Sequence, residues 1–166
     1  MLLAADAEPS PQQLRQALGR FATGVTIVTC RDAAGAPAGL TVNSFSGVSL
    51  DPPLVLWSLR RASPSLKAFG AARHFNVNVL AENQSGLSKR FAASRPDKFA
   101  EGSWSDGRTG VPLLGGCAAT FECEVIARHD IGDHVLFVGR VLGVHTSTAV
   151  PLLFQAGRYH ALGKVV

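Results

Sequence analysis

Residues 39–49 carry an unusual combination of side chains for a strand, with the sequence Gly39-Leu40-Thr41-Val42-Asn43-Ser44-Phe45-Ser46-Gly47-Val48-Ser49. Three serines, one threonine and one asparagine lie along this segment, and they would pack poorly if they were buried. Small hydroxyl and amide groups on a strand can instead hydrogen-bond a planar polar ligand and its phosphate. The alternative is an exposed edge strand, although such strands usually carry longer charged side chains. The residues alone leave both interpretations open.

The segments on either side predict further strands and a few short helices. Ser10-Pro11-Gln12-Gln13 has the pattern of a helix start, and apolar residues at helical spacing over residues 14–21 predict one inward-facing stripe. Short helices are also expected after Ser63-Pro64 and over residues 83–93, and residues 101–112 are expected to be irregular. Strands are predicted over residues 25–30, 39–50, 54–59, 75–79, 120–125, 134–144 and 152–162.

This succession of elements predicts a mainly β fold, an antiparallel β-barrel that is closed or half-closed and decorated by short helices. No repeat or internal boundary divides the chain. We therefore expect a disordered tail over residues 1–9 and a single domain over residues 10–166.

The composition narrows the possible partners. Hydrophobic residues make up 46% of the 166 residues and charged residues only 17%, so part of the surface is expected to be covered by a second subunit. The net charge of +4 suits an anionic ligand such as a dinucleotide. The basic residues are spread along the chain, with the densest runs at Arg60-Arg61 and Lys89-Arg90, so nucleic-acid binding is not predicted.

The cysteines and the amino terminus indicate a reducing cytoplasm. Three cysteines without CxxC spacing argue against a disulfide framework. The first residues lack the basic region of a signal peptide, and no apolar run reaches the length of a membrane span. We expect no membrane partner.

Other polar residues have both a functional and a structural interpretation. Asn76 and Asn78 share one face of a predicted strand and repeat the polar pattern more weakly. Basic side chains in or after the next helix could reach a phosphate or simply face solvent, namely Arg90, Arg95 and Lys98. His129 and His134 flank a turn with Asp130 and Asp133, which we interpret as turn chemistry and not as a metal site. Rossmann and P-loop glycine motifs are absent.

Residues 41–55 resemble the signature of the flavin reductase-like, FMN-binding split-barrel family. Further segments resemble the same family in the same order, over residues 21–29, 75–80, 132–141 and 151–159, so that the resemblance covers about residues 12–163. It implies a homodimeric, six-stranded, antiparallel split barrel of Greek-key type with flavin in a groove near the subunit interface. Val42 and Gly47 replace residues common in relatives and leave the choice between FMN and FAD open.

The resemblance also implies an activity. It is that of an NAD(P)H:flavin oxidoreductase, which passes a hydride from NADH or NADPH to FMN or FAD and supplies the reduced flavin to a partner monooxygenase. The cofactors carry this chemistry, so no acid–base pair is needed. His134 is implied to lie beside the nicotinamide. The implied cofactor-binding residues are Thr41, Val42, Asn43, Ser44, Val48, Ser49, Leu50, Ser58, Ser63, Lys67, Phe75, Asn76, Val77, Asn78, Arg95, Lys98, Arg158 and Tyr159.

Two other functions remain open on the same barrel. One is a flavin-binding module without turnover. The other is a pyridoxamine-phosphate oxidase-like or deazaflavin-dependent oxidoreductase, although the Gly-Asp-His turn at residues 132–134 and Asp51-Pro52-Pro53 favour the flavin reductase.

Overall fold

The computed structural model describes residues 8–166. The expected disordered tail lies almost entirely outside this range, and of that tail only Glu8 and Pro9 are described, both exposed and without regular structure. The boundary of the domain predicted over residues 10–166 stays a prediction.

The described residues form short helices and twelve strands. The α-helices are α1 (Pro11–Leu18), α2 (Leu66–Ala71) and α3 (Ser85–Ala92), and single 3-10 turns lie at Glu82–Gln84 and Lys98–Ala100. The strands are β1 (Thr23–Gly24), β2 (Thr26–Arg31), β3 (Pro37–Val42), β4 (Ser46–Leu50), β5 (Pro53–Arg60), β6 (His74–Val79), β7 (Trp104–Asp106), β8 (Pro112–Leu114), β9 (Ala119–Ile131), β10 (His134–Thr146), β11 (Leu153–Gln155) and β12 (Arg158–His160).

The main sheet is antiparallel throughout and has the order β3-β2-β6-β9-β10-β5-β4. Its two edge strands, β3 and β4, are consecutive in the chain and are separated only by residues 43–45. A link of this length spans at most about 14 Å, so the sheet must curl until its two edges meet. The mainly β barrel is therefore confirmed. The resemblance implied a six-stranded barrel, whereas the main sheet has seven strands. The difference arises because the strand predicted over residues 39–50 bends and forms both edge strands, β3 and β4.

The barrel interior holds one hydrophobic core, because alternate residues of each strand point inward. On β5 and β10 the inward residues include Trp57 and Phe137, both fully buried. Their rings stack with centroids 4.6 Å apart, and Phe69 from α2 meets Trp57 edge-on at 5.0 Å. Phe75 from β6 completes this aromatic cluster.

A second core lies on the outer face of the barrel, under α3 and the carboxyl-terminal segment. It contains Ile27, Leu80, Phe91, Leu114 and Leu152. Two hairpins cover it, and both differ from the sequence prediction. Residues 101–112, expected to be irregular, contain β7 and pair it with β8. The single strand expected over residues 152–162 is the hairpin β11–β12, which turns where Gly157 adopts a φ of 78°.

Helix α1 begins as predicted but does not pack as predicted. Ser10 Oγ accepts a hydrogen bond from Gln13 N at 3.2 Å, and Ser10 N donates to Gln13 Oε1 at 2.8 Å, which forms a complete capping box. The inward apolar stripe is wrong for the single chain, because Leu14, Leu18 and Phe21 are 49%, 64% and 76% exposed. The spacing of apolar residues correctly indicates an apolar face on α1, but no other part of residues 8–166 packs against that face. No helix in the same range has the length and apolar character to cross a membrane.

We predict that Gly139→Ala destabilises the barrel. A Cβ at position 139 would overlap the ring of Phe75 and lie 3.1 Å from Cys123 Cβ, in a core where overpacking typically costs about 1–3 kcal/mol. A thermal melt should show a clearly lower midpoint. Gly86→Ala is the matched control, because nothing lies within 4 Å of its Cβ position and alanine favours its helix. Equal melting of the two variants would contradict this packing.

Candidate functional site

Residues 41–43 lie between two adjoining cavities on the outer face of the barrel. The first, the His134 cavity, has a volume of about 280 Å³ and is lined by Leu40, Thr41, Val42, Asn43, Ser44, Ser58, Leu59, Arg60, Ser63 and His134. The second, the Tyr159 cavity, has a volume of about 190 Å³ and is lined by Val25, Thr41, Val42, Asn43, Ser88, Ala92, Phe154 and Tyr159. Thr41, Val42 and Asn43 line both cavities, which therefore adjoin, and we call the two together the groove.

The bend between β3 and β4 turns its polar side chains toward the groove. Leu40 and Val42 pack against the barrel core, so the alternating Thr41 points outward. Ser44 Oγ accepts a hydrogen bond from Ser58 N at 3.0 Å and donates to Ser58 O at 3.3 Å. One side chain therefore ties the bend to β5 through both backbone groups of the facing residue. The carboxamide of the exposed Asn43 makes no hydrogen bond with the rest of residues 8–166.

A chain of hydrogen bonds fixes the Tyr159 end of the groove. Thr41 Oγ1 donates to Ser88 O at 2.6 Å, and the hydroxyls of Ser88 and Tyr159 are hydrogen-bonded at 2.7 Å. Ser88 is fully buried. These contacts join β3, α3 and β12, so the ring of Tyr159 has a set position as one wall.

His134 forms the opposite end at the start of β10. Its Nδ1 lies 2.7 Å from Asp133 Oδ1, and an ionised carboxylate can only accept, so Nδ1–H donates; in the neutral imidazole the lone pair is then on Nε2. The hydrogen bond to His134 lowers the pKa of Asp133. The sequence suggested both a turn histidine and a ligand-facing histidine. The structure is compatible with both, because Asp133 holds the ring of His134 and the ring lines the cavity.

The turn beside His134 has the chemistry of a salt-bridged loop. Asp130 pairs with Arg61 at 2.9 Å. Across residues 8–166 no group of three or more His, Cys, Asp or Glu side chains is arranged to hold a metal ion.

Four residues expected at the flavin lie elsewhere. Phe75 and Val77 are fully buried in the barrel core. Asn76 and Asn78 are also fully buried, on the opposite face of β6. They satisfy the backbone of the segment that covers them, since Asn76 Nδ2 donates to Val111 O at 2.9 Å and Asn78 Oδ1 accepts from Leu114 N at 2.9 Å. The expectation that they line the groove is corrected: their polarity serves a buried strand that is covered by loop backbone.

The basic residues after α3 are also engaged elsewhere. Arg95 Nε and Nη2 donate to the two oxygens of Asp97 at 2.5 and 2.7 Å. Lys98 Nζ donates to Gly39 O at 3.2 Å and to Phe91 O at 3.0 Å, and burial lowers its pKa. Lys98 thus braces β3 from behind, whereas Arg95 forms a local ion pair at the surface, and neither residue lines the groove where a ligand contact was expected.

Five further expected residues line neither cavity. Val48, Ser49 and Leu50 lie on β4 beyond the bend, where Leu50 is 96% exposed. Lys67 on α2 and Arg158 on β12 are exposed at the surface. For all five, contact with a ligand stays a prediction, since none of them lines the groove of a single chain.

Sequence reasoning missed several groove residues. Arg60 could have been found, because strand alternation puts it on the same face as Ser58. Ser88 is a small polar residue on the buried side of α3, and such residues give little signal in a sequence. The apolar lining of both cavities, namely Val25, Leu40, Leu59, Ala92 and Phe154, is indistinguishable from core in the sequence.

The groove has hydrogen-bonding groups of the kind that a flavin nucleotide needs. Hydroxyls and a carboxamide can meet the polar edge of a planar ring, while the apolar side chains that line the Tyr159 cavity, among them Phe154 and Ala92, offer a surface to its face. Among residues 8–166 no Asp or Glu lines either cavity, and Arg60 contributes a positive charge. A neutral to cationic groove of this kind suits an aromatic ligand with a phosphate.

A family model matches most of the chain. Residues 18–163 match the flavin reductase like domain. This range includes the bend, both ends of the groove and all strands of the main sheet.

Individual proteins agree with that match. FMN reductase (NADH) SmoA from Agrobacterium fabrum is 45% identical over 148 residues, which cover 89% of this chain and 84% of that protein. A probable flavin reductase from Rhizobium meliloti is also 45% identical, over 90% of this chain but only 48% of its own length, so the chain spans about half of that relative. The crystal structure of nitrilotriacetate monooxygenase component B from Mycobacterium thermoresistibile superposes with a TM-score of 0.87 at 41% identity, covering 92% of this chain and 86% of that one.

Proposed function

The chain belongs to the flavin reductase-like domain family, and from this we propose that it is an NAD(P)H:flavin oxidoreductase that reduces FMN or FAD and supplies the reduced flavin to a monooxygenase. The observation that carries the proposal is the pair of adjoining cavities: the polar bend at residues 41–44 separates a histidine in one from a tyrosine in the other. The match to SmoA, whose name states both NADH and FMN, supports it.

The groove residues would hold and orient the two ring systems. Hydride transfer between nicotinamide and flavin is supplied by the cofactors themselves when both are bound. The Asn43 carboxamide can both donate to and accept from one edge of a flavin. The hydroxyls of Thr41 and Ser44 donate to Ser88 O and Ser58 O, so toward a ligand they can act only as acceptors, and Ser58 extends this polar surface on β5. A groove to which residues 8–166 contribute no carboxylate suits a reaction in which the protein mainly aligns its ligands.

His134 would orient the nicotinamide. Asp133 holds Nδ1–H, so Nε2 is available as an acceptor for the nicotinamide carboxamide. Tyr159, held by Ser88, would limit the other end of the groove and keep the stacked rings in register. These two roles make specific predictions for NADH binding that differ from those for flavin binding.

The partner and location follow from the same assignment. Component B, as its name states, is one component of a monooxygenase. We propose that a separate oxygenase receives the reduced flavin by diffusion. A cytoplasmic location fits the three cysteines, which are unpaired and buried, and whose pKa burial raises to about 12 so that they stay as unreactive thiols.

A flavin-binding module without turnover is the remaining alternative. It would use the same polar bend and would differ only in lacking a productive nicotinamide site. The family match lies with flavin reductases, which disfavours the pyridoxamine-phosphate oxidase-like alternative. Turnover decides between the module and the reductase.

We predict that the purified protein oxidises NADH or NADPH only when FMN or FAD is added or bound. The reduced-nicotinamide absorbance should fall steadily, at a rate that depends on flavin concentration. Each flavin is tested with each nucleotide, and flavin without protein is the control. Tight flavin binding without any turnover in all four combinations would support the binding module and contradict the reductase.

We predict a homodimer at micromolar concentration. Apolar side chains on α1 and β4 are exposed in the single chain, including Leu18 at 64% and Leu50 at 96%, and a second copy would cover them. Sedimentation equilibrium should give twice the chain mass of 17.4 kDa. A monomer under these conditions would contradict the proposal.

We predict that His134→Ala raises the KM for NADH while flavin affinity stays nearly unchanged. Loss of one hydrogen bond of about 1.4 kcal/mol lowers kcat/KM about tenfold. His129→Ala is the control, because His129 is exposed on β9 and lines neither cavity. Normal NADH kinetics combined with a markedly lower melting temperature would assign His134 to the fold alone.

A further inference from the structure

We propose that a second pocket, outside the groove, binds a small uncharged aromatic molecule that carries a hydrogen-bond donor, such as a phenol. This pocket, which we call the Trp104 pocket, has a volume of about 280 Å³ and lies between the β2–β3 hairpin and the β7–β8 hairpin. Among residues 8–166, none lines both this pocket and the groove. A ligand can therefore bind here while flavin occupies the groove.

Two partly exposed aromatic side chains, Phe99 and Trp104, line the Trp104 pocket. Their ring centroids lie 4.8 Å apart, and both rings pack against the fully buried Phe91. Trp104 Nε1 also donates to Glu101 O at 2.8 Å. The two rings are thus held in place from behind, while each keeps part of its surface accessible to a further ring, and contacts between aromatic rings stabilise a complex beyond the area they bury.

The charged residues of the Trp104 pocket neutralise each other. Arg31 Nη2 lies 2.6 Å from Asp106 Oδ1, so the pocket does not attract an anion by charge. Arg31 Nε and Nη1 donate to the backbone carbonyls of Gly110 and Gly35. The guanidinium is therefore engaged along its edge, and its planar face, which stacks well on aromatic rings, is left for a ligand.

The remaining hydrogen-bonding groups favour a ligand that donates. Asp106 Oδ2 accepts no hydrogen bond from another side chain within residues 8–166, and a carboxylate oxygen can only accept. The exposed hydroxyl of Ser105 can take either role. A proline-rich peptide suits the pocket less well, because its carbonyls need donors and the N–H of Trp104 is already bonded to Glu101 O.

The size and the remaining walls fit a single ring. Pro37 and Pro112 line the Trp104 pocket and add apolar surface that has no backbone N–H to satisfy. Benzene fills an engineered cavity of about 150 Å³ in another protein, so the larger volume here leaves room for one ring and its polar substituent. Phenol is therefore a suitable probe for this class of ligand.

The test observes both tryptophans of the chain by NMR. Trp104 lines the pocket and Trp57 is fully buried in the barrel core, so an isotope-labelled protein gives two indole N–H signals, which Trp104→Phe assigns. Phenol is titrated into the protein with and without saturating FMN. We expect a saturable shift of the Trp104 signal in both titrations, with a dissociation constant on the order of 1 mM, as is usual for so small a ligand, and no shift of the Trp57 signal.

Comparison ligands and variants test the chemistry of the pocket. Anisole lacks the donor of phenol and benzoate is an anion, and we expect each to bind at least about fivefold more weakly than phenol. Asp106→Asn should weaken phenol about fivefold and leave anisole within about twofold. Asp130→Asn is the matched control, because it breaks a similarly exposed ion pair, to Arg61 at 2.9 Å, that lies outside the pocket.

Several results would overturn the proposal. These are the absence of a saturable shift of the Trp104 signal, tighter binding of benzoate or of an oligoproline peptide than of phenol, and equal effects of Asp106→Asn and Asp130→Asn. Loss of the phenol shift when FMN is added would place phenol in the groove and would also overturn it. The comparison of phenol with anisole in the wild-type protein keeps the test decisive if Asp106→Asn does not fold.

Discussion

The architecture depends on the bend at residues 43–45, which joins β3 and β4, the two edge strands of the same sheet. Ser44 stabilises this bend because its hydroxyl accepts from the backbone N–H of Ser58 and donates to the backbone carbonyl of the same residue. At the bend, the Ser44 side chain makes the hydrogen bonds to the neighbouring strand that backbone groups make along a regular strand. The bend that closes the barrel is thus also the place where polar side chains come to the surface.

The distribution of covering elements explains why the site lies at the bend and not elsewhere on the barrel. Helix α3 and the two hairpins bury much of the outer face around Leu80 and Phe91. The remaining gap, between Tyr159 and His134, is the groove. Its ends are held by hydrogen bonds from Ser88, which is fully buried in the wall of the Tyr159 cavity, and from Asp133, which lines neither cavity. The ligand-facing groups are therefore positioned by residues that need not touch the ligand, which is the usual basis of a preorganised site.

The sequence predicted the fold well where pattern and partner are local. The capping box of α1 and the turn after β9 follow from neighbouring residues, whereas the bend that divides the strand predicted over residues 39–50 was not predicted. It was less informative where a partner lies far along the chain. Asn76 and Asn78 looked like a ligand face because their real partners, at residues 111–114, are distant in sequence. The apolar stripe of α1 is real, but no part of residues 8–166 covers it. Arg60 and Arg61 are adjacent in the sequence, and only the fold shows that one is paired and the other faces the groove.

The central claim is that the flavin ring lies against the polar bend. The most direct test is the dissociation constant of FMN for Asn43→Leu, measured by flavin fluorescence quenching beside Asn83→Leu, an exposed asparagine outside the groove. Position 43 is exposed in the ligand-free fold, so its replacement should leave folding intact. The account predicts that Asn43→Leu weakens FMN binding by about 1–3 kcal/mol, the usual cost of unpaired buried polar groups in the complex, and that the control binds normally. Unchanged FMN affinity in Asn43→Leu would contradict it.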